Sequence, residues 1–302
     1  MISPPAIVNT IGRQMSLVPA GTAENPSQFV EFREGVIRLL NSRLEVISVR
    51  EVEAARVLAA RGIEHLVLCD DADLRIIAEQ DVTIAHLSCD AAAFVDGFVI
   101  ATAPAEDSHR VLLIAPDTGE ILDEFIVDAW DATAFITPHP SEPVVTIEFP
   151  MGQDGCVVQR VQIDGGSLQA EEILRGEDPV IAGFDPSGSR LLVTPYPDDP
   201  ESARVLSWPS LDEIGRLSAA DLGTDLGIGI AACWIDEARI ALYAMEDALV
   251  LADGHLGNPE RLSFPVEFGD NGDLESLTLL EPGRIAAGVW IAGDRSTSVL
   301  EF

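Results

Sequence analysis

The chain has 302 residues, a formal net charge of −33 and an apolar content of 47%. So much apolar sequence can bury a sizeable core and excludes a disordered chain. There is no lysine, and 18 arginines face 51 acids, a balance that excludes nucleic-acid backbones and anionic membranes as partners and favours basic proteins and cations.

The opening stretch, MISPPAIVNTIGRQMSLVPAG, lacks a basic segment followed by an apolar one. It therefore does not read as a secretory signal, and no apolar run along the chain reaches membrane-spanning length. A cytoplasmic protein is expected. PPAIVNTIG (4–12) reads as a strand.

Residues 27–90 are punctuated by short loops. FVEFREGVIRLLNSRLEVISV reads as three strands, and GIEHLVLCDDADLRIIAEQDVTIAHL as three more. Between them, EVEAARVLAARG (51–62) spaces its valines and alanines in a way that also fits a short amphipathic helix. His65 and His86 fall in predicted strands. The cysteines, at 69, 89, 156 and 233, are too far apart for a zinc site or a disulfide framework and are expected to be buried thiols.

From residue 90 onward a repeat emerges. AFVDGFVIATA, HPSEPVVTIEF, FDPSGSRLLVT, WIDEARIALYA and LEPGRIAAGVW share one order: an apolar segment, a tight turn, then an apolar run. The runs start at Phe98, Val144, Arg190, Arg239 and Arg284, at steps of 46, 46, 49 and 45 residues. Each is followed by an acidic loop and two further short segments rich in Val, Ile and Leu. Four strands in each such repeat is the arithmetic of a β-propeller blade. In FDPSGSRLLVT, Pro186 presets φ and Gly188 supplies a positive φ for the turn. Arg190 is expected to open the strand with its charge at the rim.

GFDPSGSRLLV resembles the Phe-Ser-Pro-Asp-Gly-Lys hallmark of WD40-like and TolB-like propeller repeats. VLLIAPDTGEIL is similar to the turn of YVTN-like repeats. The resemblance covers about residues 90–302 and implies the fold, not an activity. An all-β, single-domain propeller over 1–302 is expected. The preferred count is seven four-stranded blades, closed by the N-terminal strand as the outer strand of the last. Six blades are the alternative if 51–62 is helical.

Loops joining second to third strands open on the same face as the connections between blades. Those loops carry Glu106, Asp107, Asp154, Asp198, Asp199, Glu201, Glu246, Asp247 and Asp294. Connections add Glu177, Asp178, Asp270 and Asp273. The opposite face has Asp96, Glu142, Asp236 and Glu281, so much of the acidity reads as solvation. His109 follows Glu106 and Asp107, which makes a carboxylate–imidazole pair conceivable. In GDNGDLE (269–275), Asp270, Asp273 and Glu275 are weak candidates for part of a calcium shell, although the spacing departs from the EF-hand pattern. Of Trp130, Trp208, Trp234 and Trp290, most are expected to fill space between blades. Trp208, held at a strand end by Pro209, is the best candidate for an exposed anchor.

No catalytic or phosphate-binding motif is present. The expected function is a non-enzymatic scaffold without a cofactor, binding a protein or peptide partner, basic in character, through an acidic loop face. The chain is expected to be a monomer or one component of a hetero-complex. The alternative is a metal-assisted lyase or hydrolase at the mouth of the central channel, and a third reading is a DNA-mimicking decoy.

Overall fold

The computed structural model describes residues 5–22, 25–70, 72–130, 132–176, 179–195, 202–223, 227–244, 248–264, 272–291 and 293–302. Strand β1 (Ala6–Ile11) comes first. Four sheets then follow in chain order. The first is β2 (Leu17–Pro19), β3 (Phe29–Arg33), β4 (Val36–Leu40) and β5 (Val46–Glu51). The second is β6 (Arg56–Arg61), β7 (His65–Cys69), β8 (Leu74–Ile77) and β9 (Asp81–Ile84). The third is β10 (Ala91–Val95), β11 (Phe98–Ala105), β12 (Ser108–Ile114) and β13 (Ile121–Val127), and the fourth is β14 (Phe135–Pro138), β15 (Val144–Pro150), β16 (Cys156–Asp164) and β17 (Ser167–Gly176).

Three more sheets complete the chain. One is β18 (Pro179–Phe184), β19 (Arg190–Pro195), β20 (Ser202–Ser207) and β21 (Glu213–Ser218). After a single helical turn at Ala219–Leu222 comes β22 (Ile228–Trp234), β23 (Arg239–Ala244), β24 (Ala248–Asp253) and β25 (Glu260–Ser263). The last sheet has β26 (Gly272–Glu281), β27 (Arg284–Ile291) and β28 (Asp294–Glu301), and its fourth place is taken by β1. Ile7 stands opposite Leu300, and Thr10 opposite Ser298. The fold is an all-β propeller of seven four-stranded antiparallel blades, with the N-terminal strand closing the last.

Stretch 51–62 holds no helix; Glu51 ends β5 and Arg56–Arg61 is the strand β6. Arg56–Arg61 pairs with His65–Cys69, Arg56 opposite Cys69 and Arg61 opposite His65. The helix-compatible spacing yields to pairing, because β7 can satisfy the backbone and bury Ala59 and Ala60 together. Seven blades follow.

The contacts divide into two compact units: Ser16–Asn41 with Glu45–Glu177, holding the first four sheets, and Met1–Met15 with Ser42–Leu44 and Asp178–Phe302, holding the last three. Within each, burial follows strand position. Second and third strands are covered on both faces; Val99, Ile100, Ala101 and Val111–Ile114 are fully buried. Fourth strands are more open to solvent, as in β5, where Val46, Ile47 and Val49 are exposed. Each fully buried Val, Leu or Ile contributes roughly 1.5–3 kcal/mol relative to exposure, so the central strands dominate the stabilisation. Neighbouring sheets share that core. Ile100, Val111 and Leu113 of one sheet meet Val145, Ile147 and Phe149 of the next.

The repeat register is now explicit. Phe98, Val144, Arg190, Arg239 and Arg284 are each the first residue of the second strand of a sheet. In the turn before β19, Gly188 has φ +77° and its N–H donates to the Asp185 carbonyl at 2.9 Å. Arg190 does not keep its charge at a solvent rim. Its side chain is 16% exposed and ion-paired at 3.0 Å to Asp185, which is itself buried. The guanidinium lies 4.6 Å from the Trp234 ring centroid and donates to the carbonyls of Gly254 and Glu237. It clasps the turn before β19 to two turns of the next sheet. Desolvation is offset because the guanidinium is paired, hydrogen-bonded and stacked together. Arg239 pairs with Asp236 at 2.6 Å, and Arg284 pairs with Glu281 and, at 3.0 Å, with Glu301.

Candidate functional site

In an antiparallel meander of four strands, the turn between the second and third lies at the same end as the connection to the next sheet. Glu106 and Asp107 form the β11–β12 turn, closed by the Ala105–Ser108 pair. The connection from β13 to β14 carries Trp130. These two segments meet in an open cleft of about 340 Å³ lined by Pro104, Ala105, Glu106, Asp107, Trp130 and Ala132, with His109 behind them. Trp130 is 48% exposed. The side chains of Glu106 and Asp107 are exposed and make no hydrogen bond or ion pair among the described residues. Asp107 has φ +152°, a region normally left to glycine.

A buried polar cluster holds this cleft in shape. His109 is 2% exposed, and its Nε2 lies 3.2 Å from Asp90 Oδ2 while its Nδ1 lies 2.9 Å from the Ala129 carbonyl oxygen. Asp90 also accepts from Thr102 Oγ1 at 2.5 Å and from the Ala134 N–H at 2.8 Å. The imidazole rests against the Phe149 ring at 5.2 Å. Ala129 and Ala134 flank the Trp130 segment, so both of its ends are tied to one imidazole–carboxylate pair. Ile126 and Phe135, just outside those ties, are 69% and 54% exposed. Three large apolar side chains therefore stand at solvent within ten residues of chain.

His109 does pair with a carboxylate. Its partner is Asp90, not the adjacent Glu106 or Asp107. Of the other histidines, His65 is half-buried at the start of β7, and His86 is exposed in a turn with φ +58° rather than in a strand. A positive φ there breaks the strand, and Asp73 Oδ1 accepts the His86 N–H at 3.0 Å. His139 is buried in a turn, where its Nδ1 accepts from the Glu142 N–H at 3.0 Å. His255 is exposed in the β24–β25 hairpin.

The remaining candidates are dispersed. Asp154 is exposed in the turn before β16, and Asp294 is exposed at the start of β28. Asp198, Asp199, Glu201, Glu246, Asp247 and Asp270, with Glu177 and Asp178, lie outside the described residues. Asp273 and Glu275 lie in β26; Asp273 accepts from the Leu274 N–H at 2.8 Å, and Glu275 pairs with Arg295 at 2.8 Å. Among the described residues, no group of three or more His, Cys, Asp or Glu is placed to hold a metal ion. Trp208 precedes a cis bond to Pro209, is half-buried and meets Phe184 edge-on with centroids 4.9 Å apart. Trp234 is buried, its Nε1 donating to the Gly183 carbonyl at 3.2 Å, and Trp290 is 37% exposed. All four cysteines are buried free thiols. Burial pushes Cys89 up to about 12 and raises Cys233 further.

No protein-family model matches the sequence, and no curated protein matches it. Solved structures do. The β-propeller domain of Myceliophteria thermophila Cps50 (Swd1) superposes with a TM-score of 0.63 at 10% identity, covering 99% of this chain and all of that one. The WD40 β-propeller domain of Doa1 gives 0.54 at 11% identity, covering 99% of this chain and 98% of that one. At such identities the likeness concerns the fold: the chain has the architecture of a WD40-like β-propeller.

Proposed function

We propose that this propeller is a non-enzymatic scaffold that binds a protein or peptide partner of basic character on the loop end carrying Glu106 and Asp107. The carrying observation is the half-exposed indole of Trp130 in a cleft shared with the carboxylates of Glu106 and Asp107, which have no partner among the described residues. Large apolar side chains rimmed by charge are the anatomy of a protein interface. Aromatic anchors supply most of the affinity there, and rim charges steer encounter. The net charge of −33 points the steering toward a cationic partner.

A metal-assisted lyase or hydrolase would need an imidazole–carboxylate set open to substrate. His109 and Asp90 do not offer one, because the ring is sealed and both its nitrogens are engaged. We read that pair as a structural tie. Four free thiols fit a reducing, cytoplasmic setting, in which the chain acts as a monomer or within a hetero-complex.

The test is affinity capture from native extract with the tagged protein at low and raised salt, followed by rapid-mixing kinetics with the partner recovered. The expected result is a stoichiometric basic protein whose association rate falls about tenfold between roughly 20 and 200 mM salt. A partner bound at a salt-independent rate would remove the electrostatic part of the proposal. Recovery of no protein would remove the scaffold itself.

A further inference from the structure

Resting on that reading, we infer that the cleft between the β11–β12 turn and the Trp130 segment takes an arginine side chain of the partner. Three features converge. The indole of Trp130 is half exposed at the cleft, offering a π-surface on which a planar guanidinium stacks. Glu106 and Asp107 bring two carboxylates to the same cleft, and among the described residues no cation occupies them. Pro104, Ala105 and Ala132 supply an apolar lining for the aliphatic stem. A guanidinium can stack and fork to carboxylate oxygens at once, whereas an ammonium does only part of this.

The chain already uses this recognition internally. Arg190 lies 4.6 Å from the Trp234 ring centroid while bonded to the Asp185 carboxylate. In the cleft the indole and the carboxylates are present and no described residue supplies the guanidinium. The two ends of the connection are also held in place, Ala129 and Ala134 being bonded to the buried His109–Asp90 pair. Binding then costs little loop ordering.

The test is titration of the ¹⁵N-labelled protein with the capped peptide Gly-Gly-Arg-Gly-Gly, following the indole N–H resonance of Trp130 assigned by W130F. The lysine and citrulline counterparts are titrated in parallel. The expected result is a saturable shift with the arginine peptide, several-fold weaker binding of the lysine peptide and none of the citrulline peptide. The E106Q/D107N double variant should weaken arginine binding about tenfold. No shift with arginine, or an equal shift with neutral citrulline, would overturn the inference. W130A is then compared in partner capture. If the salt-sensitive partner is retained by W130A and the peptide does not bind, this cleft is excluded while the scaffold stands. If no partner exists at any salt, the scaffold falls whatever the peptide does.

Discussion

Replacing His109 by alanine strips the Asp90 carboxylate of its imidazole in a site where water enters poorly. The expected loss is about 2–4 kcal/mol in urea unfolding, and H109A with D90N should lose less than the two single changes added together. Asp107 is the converse case. Its φ of +152° suits glycine, so D107G should stabilise by about 1 kcal/mol in thermal unfolding while weakening capture of a cationic side chain. The sequence announces Glu106 and Asp107 as an exposed acidic turn, because a two-residue link between apolar runs has nowhere to bury them. It does not announce Asp90. That residue lies 19 positions before His109 and reaches it only after two strands have folded back. Trp130 is equally silent, since exposure of an indole in a connection depends on where that connection is tied down.

Among the elements, the second strands of the blades were the most legible. Phe98, Val144, Arg190, Arg239 and Arg284 each follow a turn whose chemistry is local, and each proves to start a strand. The strand β6 was the least legible, because alanine spacing says helix until β7 is beside it. The arginines opening three of those strands are more than register marks. R190M keeps much of the stem but leaves Asp185 buried without its cation, and a loss of about 3 kcal/mol is expected, read by urea unfolding. The thiols on or beside strands supply another check. With Cys89 pushed up to about 12 by burial, an aromatic disulfide reagent at pH 8 should label none of the four cysteines rapidly in the native state and all four in denaturant.

For the whole molecule, charge dominates. A net charge of −33 repels itself, so added salt should raise the thermal midpoint by several degrees, opposite to its effect on partner association. Acid acts in two directions. Protonating carboxylates relieves the repulsion, but some carboxylates are held low by arginine. Arg75, hydrogen-bonded to Asp81 at 2.8 Å, lowers the Asp81 pKa below its usual value. A depressed folded pKa gives stability that is present above the unfolded pKa and lost as pH falls through the folded one. D81N should therefore cost a few tenths of a kcal/mol at neutral pH, roughly, for a half-exposed pair. That difference from the parent protein should vanish at pH values below the folded pKa of Asp81, which a pH series of urea midpoints would show.

The pairing of β1 with β28 carries a consequence for synthesis. Within this propeller β1 is made well before β28, its strand partner among the described residues. At roughly 5–20 residues per second, the interval between them is on the order of fifteen seconds to a minute. Throughout that interval an edge with Ile7 and Val8 stands unpaired, free to seek other edges. A chain in synthesis therefore carries this open edge until β28 appears, and a chaperone that shields Ala6–Ile11 through that interval should raise the yield of folded protein.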